Sequence, residues 1–305
     1  MKILLEAYNP DLKVQGYQLK QRQALPLDCK VKLSLNRIKH WYDQWGGDCY
    51  VAFSGGKDST VLLDLCRKYY PEMEAVFVDT GLEYPEIREF VKQTPNVTRL
   101  KPTLTFKDVL EKKGYPVISK SVAEALYKIK SPGTSERVRQ KALYGDEKGS
   151  YGKLPKKYRY LIDAPFKISA RCCEVMKMNP TIKYYKKTGK VPFVGTMASD
   201  SNKRAYAYMK KGCFMMNKSQ PKCTPLGFWT TEDIWEYIKT NDLPYCSIYD
   251  TGVKHTGCVF CMFGAHLEQS PNRFERMKTT HPSLYSYCMN KLGLRDVLDF
   301  VGISY

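Results

Sequence analysis

Cys49-Tyr50-Val51-Ala52-Phe53, Ser54-Gly55-Gly56-Lys57-Asp58-Ser59 and Val61-Leu62-Leu63-Asp64-Leu65-Cys66 follow one another as a short apolar run, a polar loop with two glycines, and a second apolar run. The pattern reads as strand, loop, helix. Two glycines between small or polar residues let successive backbone N–H groups turn toward one anion. The helix that follows adds the positive end of its dipole, and Lys57 adds a full charge. A Walker A loop needs four residues between its first Gly and Gly-Lys-[Ser/Thr], and here Lys57 directly follows Gly55-Gly56, so a different nucleotide fold is implied.

Working outward, a second strand is expected at Ala75-Val76-Phe77-Val78-Asp79, ending in Thr80-Gly81, after which Tyr84-Pro85-Glu86-Ile87 opens a helix with Pro at an early position. Val97 to Leu100 and Pro192 to Gly195 are further strand candidates. Strands alternating with helices imply a doubly wound, mostly parallel α/β sheet that binds ligands at the carboxyl ends of its strands. Upstream, Val31, Leu35, Ile38, Tyr42 and Trp45 recur at helical spacing and are expected to line the packed face of one amphipathic helix. Thr230 and Asp233 stand at capping-box spacing before Ile234, Trp235 and Ile238, and Ser283 to Leu292 is a modest helix candidate.

Residues 112–160 hold thirteen Lys and Arg against four Asp and Glu, interleaved with Tyr115, Tyr127, Tyr144, Tyr151, Tyr158 and Tyr160, over a weak hydrophobic pattern. They read as an inserted, basic, helical or partly mobile substrate region. The expected organisation is an N-terminal helical segment at 1–48, a nucleotide-binding domain at 49–210 containing that insertion, and a cysteine-bearing C-terminal region at 211–305.

At 305 residues the chain is long enough to bury a full α/β core. A 43% hydrophobic content and the lack of any run of roughly 18 apolar residues argue against membrane insertion. The Met1-Lys2-Ile3-Leu4-Leu5 start does not read as a secretory signal, so a cytoplasmic location is expected. The net charge of +18 concentrates polyanions, whether nucleotide or nucleic acid. Eleven cysteines without an export signal point to metal or redox use rather than to a disulfide scaffold.

The Ser54–Ser59 loop between an apolar strand and an apolar helix resembles the signature of the pyrophosphatase-loop superfamily, the adenine nucleotide alpha hydrolase (HUP-type) fold of sulfonucleotide reductases, tRNA thiolases and ATP-dependent amidotransferases. Val78-Asp79-Thr80-Gly81 with Tyr84-Pro85-Glu86 narrows the resemblance to the phosphoadenosine phosphosulfate reductase family. Gly195-Thr196-Met197-Ala198-Ser199-Asp200-Ser201-Asn202-Lys203-Arg204 is similar to that family's Gly-x-Arg-x-x-Glu-Ser-x-x-Arg segment, with Met197 in place of Arg and Asp200 in place of Glu. Pro225-Leu226 with Trp229, Asp233-Ile234-Trp235 and Leu243-Pro244-Tyr245 extend the likeness, which spans roughly residues 25 to 265. It implies that Ser54, Gly55, Gly56, Lys57, Asp58, Ser59, Asp79, Thr80, Gly81, Ser201 and Arg204 bind ATP or a sulfonucleotide, with Lys57, Asp58 and Asp79 in the chemistry and Mg²⁺ as companion.

Cys172-Cys173 and Cys258-Val259-Phe260-Cys261 place four thiols that can surround one metal centre. Zinc, an iron–sulfur cluster and buried thiols are all open to such a set. Adjacent cysteines diverge too far to suit one small zinc tetrahedron but can reach different irons of a larger body. The same arrangement resembles the 4Fe–4S ligands of adenylylsulfate reductases and of DNA phosphorothioation enzymes.

Classical reductases of the family attack with a cysteine in a Glu-Cys-Gly-x-His motif, which this chain lacks; its last cysteine, Cys288, lies in Tyr287-Cys288-Met289-Asn290. The leading expectation is therefore adenylation of an acceptor by ATP, followed by sulfur transfer, with DNA or tRNA as acceptor and a cysteine desulfurase or other sulfur donor as partner. A sulfonucleotide reductase whose cysteine comes from elsewhere, and a nucleotide-gated nucleic-acid-binding subunit, are the alternatives.

Overall fold

The computed structural model describes residues 13–146, 152–216 and 219–305, so Met1–Leu5 and Tyr151 of the sequence reading lie outside the described residues. Its strands are β1 (Cys49–Ala52), β2 (Ala75–Val78), β3 (Val97–Leu100), β4 (Val117–Ile118), β5 (Val191–Val194), β6 (Phe214–Met215), β7 (Lys222–Cys223) and β8 (Met262–Phe263). Two compact units are formed, and neither is a sequential block. The first takes Met1–Asp79, Tyr84–Leu100 and Thr181–Thr256; the second takes Thr80–Glu83, Lys101–Pro180 and Gly257–Tyr305. Boundaries at 48 and 210 do not separate them.

The first unit is built on a six-stranded sheet of order β3-β2-β1-β5-β7-β6. All neighbours run parallel except β6, which is antiparallel to β7. β1 sits between β2 and β5, with Val51 opposite both Ala75 and Phe193. Strands covered on both faces read as continuous apolar runs, and Cys49, Tyr50 and Val51 are all buried. The chain steps from β1 outward through β2 and β3, then returns to the other side of β1 as β5. That reversal creates a crevice at the carboxyl ends of β1 and β5. The mostly parallel α/β architecture is the one expected.

Helix Leu27–Gln44 packs on this sheet unit, but its deepest stripe differs from the expected one. Ile38 is fully buried as expected, while Val31, Leu35, Tyr42 and Trp45 are only partly buried against the core. Lys30, Ser34 and Arg37 go deeper, Lys30 and Ser34 because a hydrogen-bonding partner satisfies each and Arg37 against an aromatic face. Lys30 Nζ lies 2.6 Å from Asp233 Oδ2, Ser34 Oγ accepts from Trp229 Nε1 at 2.9 Å, and the Arg37 guanidinium stacks 4.3 Å over the Phe228 ring. Thr230 caps helix Thr231–Thr240 through the capping box read from sequence.

In the second unit, the described part of residues 112–160 is largely helical as expected, with helices at Lys120–Lys130 and Glu136–Tyr144 and a 3₁₀ segment at Lys156–Asp163 around the short strand β4. The reading of a weak hydrophobic pattern is corrected. Val117, Ile118, Val122, Leu126, Leu154 and Leu161 are all buried, so the basic side chains cover a real core. β4 closes onto β8 in parallel, pairing Val117 with Met262 and Ile118 with Phe263. The helix expected over Ser283–Leu292 is a short α-helix at Pro282–Ser286 that widens into a π-turn at Tyr287–Lys291. No helix among the described residues is long and apolar enough to cross a membrane.

Candidate nucleotide and iron–sulfur sites

The loop after β1 is held by its own hydroxyls. Ser59 Oγ donates to the Gly56 carbonyl at 2.8 Å and accepts the Ser54 N–H at 3.1 Å, while Ser54 Oγ and Ser59 Oγ are 3.1 Å apart. Both serines thus brace the turn. Gly55 has φ +72°, and a Cβ there would lie 2.8 Å from Val91 Cγ2 and 3.0 Å from Ile87 Cγ2. Only glycine meets both demands. Helix Lys57–Tyr69 begins inside the motif, with Gly56 as its N-cap, so the first-turn amides and the helix dipole converge on the loop.

Lys57 is buried, and its ammonium lies 2.6 Å from Asp58 Oδ1. Gly195, which follows β5, presses on the same turn: a Cβ there would lie 3.0 Å from the Asp58 carbonyl oxygen. Ser54, Gly55, Gly56, Lys57, Asp58 and Ser59 therefore form one knot at the crevice between β1 and β5.

The other expected nucleotide residues are arranged around their own partners. Asp79 follows β2 and receives Arg88 at 3.1 Å. Ser201 caps helix Asn202–Lys211 by accepting the Arg204 N–H at 3.3 Å, and the Arg204 guanidinium pairs with Asp200. Asp200 also accepts the Met197 N–H at 3.0 Å, so the carboxylate at this departure from the family pattern organises the segment. Thr80 and Gly81 belong to the second unit, where Thr80 Oγ1 donates to Glu83 Oε1 at 2.6 Å and Gly81 takes φ +73°.

In that second unit Cys172, Cys173, Cys258 and Cys261 line one cavity with Leu82, Phe106, Pro116, Met176 and Lys177. The thiol bond between the adjacent pair holds Cys173 below the usual thiol range against burial, aided by Lys120 and Lys177, and pushes Cys172 up. Burial raises Cys258 and brings Cys261 up to about 11. Burial opposes the Lys177 ammonium, yet Cys258 and Glu83 beside it raise its pKa overall. Among the described residues, no three His, Cys, Asp or Glu side chains converge at the spacing of a single metal ion. Four thiols set around an apolar wall with one ammonium to offset their charge fit an iron–sulfur cluster by donor chemistry.

Residues 48–263 match the family described as Phosphoadenosine phosphosulfate reductase domain. The chain belongs to this family. Within it, the chain is 25% identical to the adenosine 5′-phosphosulfate reductase of Geobacillus kaustophilus over 252 residues, 82% of this chain and 88% of that one. It is 27% identical over 284 residues to a Methanocaldococcus jannaschii protein of no assigned activity, covering 90% of this chain but only 55% of the relative, so it spans about half of that protein's length. Among solved structures, the phosphoadenylyl-sulfate reductase of Candida auris, a phosphate complex, gives a TM-score of 0.45 at 18% identity, covering 80% of this chain and 96% of that one. The U34-tRNA thiolase of Methanococcus maripaludis, described with its 4Fe–4S cluster, gives 0.38 at 13%, covering 89% and 80%. The named relatives in this family are enzymes.

Sequence reasoning missed two loop partners. Tyr249 accepts the Lys57 backbone N–H at 2.9 Å, and Thr256 stands 3.1 Å from that phenol oxygen. The only signal was their place just before Gly257-Cys258, and an isolated tyrosine gives no spacing to read.

Proposed function

We propose that this chain is an ATP pyrophosphatase-type enzyme that adenylates an acceptor, with nucleic acid as the acceptor class, for sulfur transfer. The acceptor oxygen attacks the α-phosphorus, and the bond to the β-phosphate breaks as pyrophosphate leaves with its electron pair. A sulfide-level nucleophile supplied by a donor protein then attacks the activated carbon, and AMP departs. The loop amides and Lys57 hold the pyrophosphate charge, Asp58 and Asp79 orient the nucleotide and the Mg²⁺ it carries, and Arg204 receives a second anionic group. When bound at Cys172, Cys173, Cys258 and Cys261, a 4Fe–4S cluster would supply sulfur or electron chemistry.

The observation that carries this reading over sulfonucleotide reduction is the state of Cys288. It is fully buried and its thiol is raised by that burial, which disfavours presenting a thiolate to a sulfonyl sulfur. Support for nucleic acid comes from the second unit, where Arg159 stacks 5.6 Å over Tyr144, an exposed ring on the same helix as Arg137 and Lys141. Exposed rings among cations suit base stacking and phosphate contact.

The reductase names of the curated relatives favour a second reading, sulfite release from adenylylsulfate. An anaerobic assay of ATP and adenylylsulfate side by side decides between them. Pyrophosphate release that rises with added DNA or tRNA is expected, and sulfite production would overturn the proposal.

A further inference from the structure

The Lys57 amide, the first donor of the loop helix, is engaged by the Tyr249 hydroxyl at 2.9 Å, and the phenol oxygen lies 3.1 Å from Thr256 Oγ1. Thr256 Oγ1 in turn lies 2.5 Å from the point a Gly56 Cβ would take, so this hydroxyl rests on the second glycine of the loop. The Tyr249 ring is fixed edge-on against Trp235, with centroids 5.4 Å apart. Burial pushes the phenol up to about 12, which keeps it neutral. A phenol that accepts an amide N–H has its own proton to pass on, and Thr256 is the acceptor in reach. The threonine proton then points onward, and each bond in such a chain polarises the next.

We propose that Tyr249 and Thr256 are phosphate-positioning residues, a two-hydroxyl relay that carries the Lys57 amide donor outward to a Thr256 O–H bonding a phosphoryl oxygen of the nucleotide. The inference rests on the reading of the Ser54–Ser59 loop as the phosphate site. It gives the opposite sign from an arrangement in which Tyr249 merely fills the phosphate position and has to leave, because a relay loses affinity when cut and a plug releases it.

Titration calorimetry of the full chain with magnesium ATP and, separately, with inorganic pyrophosphate tests this on Tyr249→Phe, Thr256→Val, Thr256→Ser and the Tyr249→Phe/Thr256→Val double variant. Each single cut is expected to weaken binding about tenfold, as for a hydrogen bond to a charged group. The double variant should be no weaker than either single one, and Thr256→Ser should stay within about twofold of the native chain. Melting curves confirm folding, and Thr256→Ser guards against a packing effect at that position. Binding by Tyr249→Phe that is unchanged or tighter, or fully additive losses in the double variant, would overturn the relay while leaving the loop reading intact. A native chain that binds neither ligand would remove both.

Discussion

The Lys57 ammonium is buried and lies 2.6 Å from the carboxylate of its chain neighbour Asp58, whose side chain keeps 29% exposure. The pair stores a full positive charge at the loop with its counter-charge one residue away and still in reach of water. An arriving triphosphate can therefore take over Lys57 while Asp58 turns to solvent or to the cation. Lys57→Met should reduce pyrophosphate release at least about a hundredfold, the loss typical of removing one preorganised charge-stabilising group. Circular dichroism should be unchanged, because Asp58 can hydrate.

Gly55→Ala meets both a left-handed φ of +72° and the methyls of Val91 and Ile87. We expect a loss of about 1–3 kcal/mol in urea unfolding, the usual range for a residue forced into a sparsely populated conformation, together with weaker ATP binding. Adding Val91→Ala should recover only the steric part. Full recovery in that double variant would show that the backbone conformation carries no cost.

Breaking the buried Lys30–Asp233 pair should be among the most damaging single changes in the first unit. Lys30→Met leaves the Asp233 carboxylate without its ammonium and is expected to cost about 3–5 kcal/mol. Asp233 also caps its helix through Thr230, so Asp233→Leu loses the cap as well. Denaturant midpoints of the two variants give the comparison, and a Lys30→Met midpoint equal to the native one would rule out the pair as a structural tie.

Acid should act through Glu74. Burial raises its carboxyl, but hydrogen bonds from Lys190 at 2.7 Å, Thr98 at 2.6 Å and Tyr184 at 2.7 Å outweigh that and lower it overall. A carboxyl depressed in the folded state adds stability above its ordinary value near 4.5 and loses it as pH falls further. Glu74→Gln should therefore be less stable than the native chain at neutral pH and show a shallower fall in melting temperature below about pH 4.5.

Cys258→Ala should abolish bound iron and acid-labile sulfide in anaerobically purified protein, together with the visible absorption they give. Cys29→Ser should leave them unchanged, since Cys29 lies in helix Leu27–Gln44 of the other unit. Stoichiometric zinc in place of iron would overturn the cluster assignment.

The centre of the sheet unit was legible from sequence because β1, β2 and β5 are buried and so read as apolar runs, and because Gly55-Gly56-Lys57 marks where β1 ends. The four cysteines were legible as pairs. What the sequence hid was polar burial. Lys30, Ser34 and Arg37 count as solvent-facing in any hydrophobic period, yet Asp233 and Trp229 bond the first two and the Phe228 ring packs on the third, all from far along the chain. The second unit was hidden for another reason: β4 and β8 are two residues each, too short for a period, and they pair across a long stretch of intervening sequence. Tyr249 was passed over because a single hydroxyl acts through its position, which only the fold supplies.

The place of β5 in the sheet also sets a timetable for synthesis. β1 has β2 on one side early, but its other edge pairs Cys49 with Val191, so that edge stays open until the ribosome has released residues far downstream. At 5–20 residues per second this interval is on the order of 10 s. During it, an apolar strand is left with unpaired backbone groups, an open template for pairing with another chain.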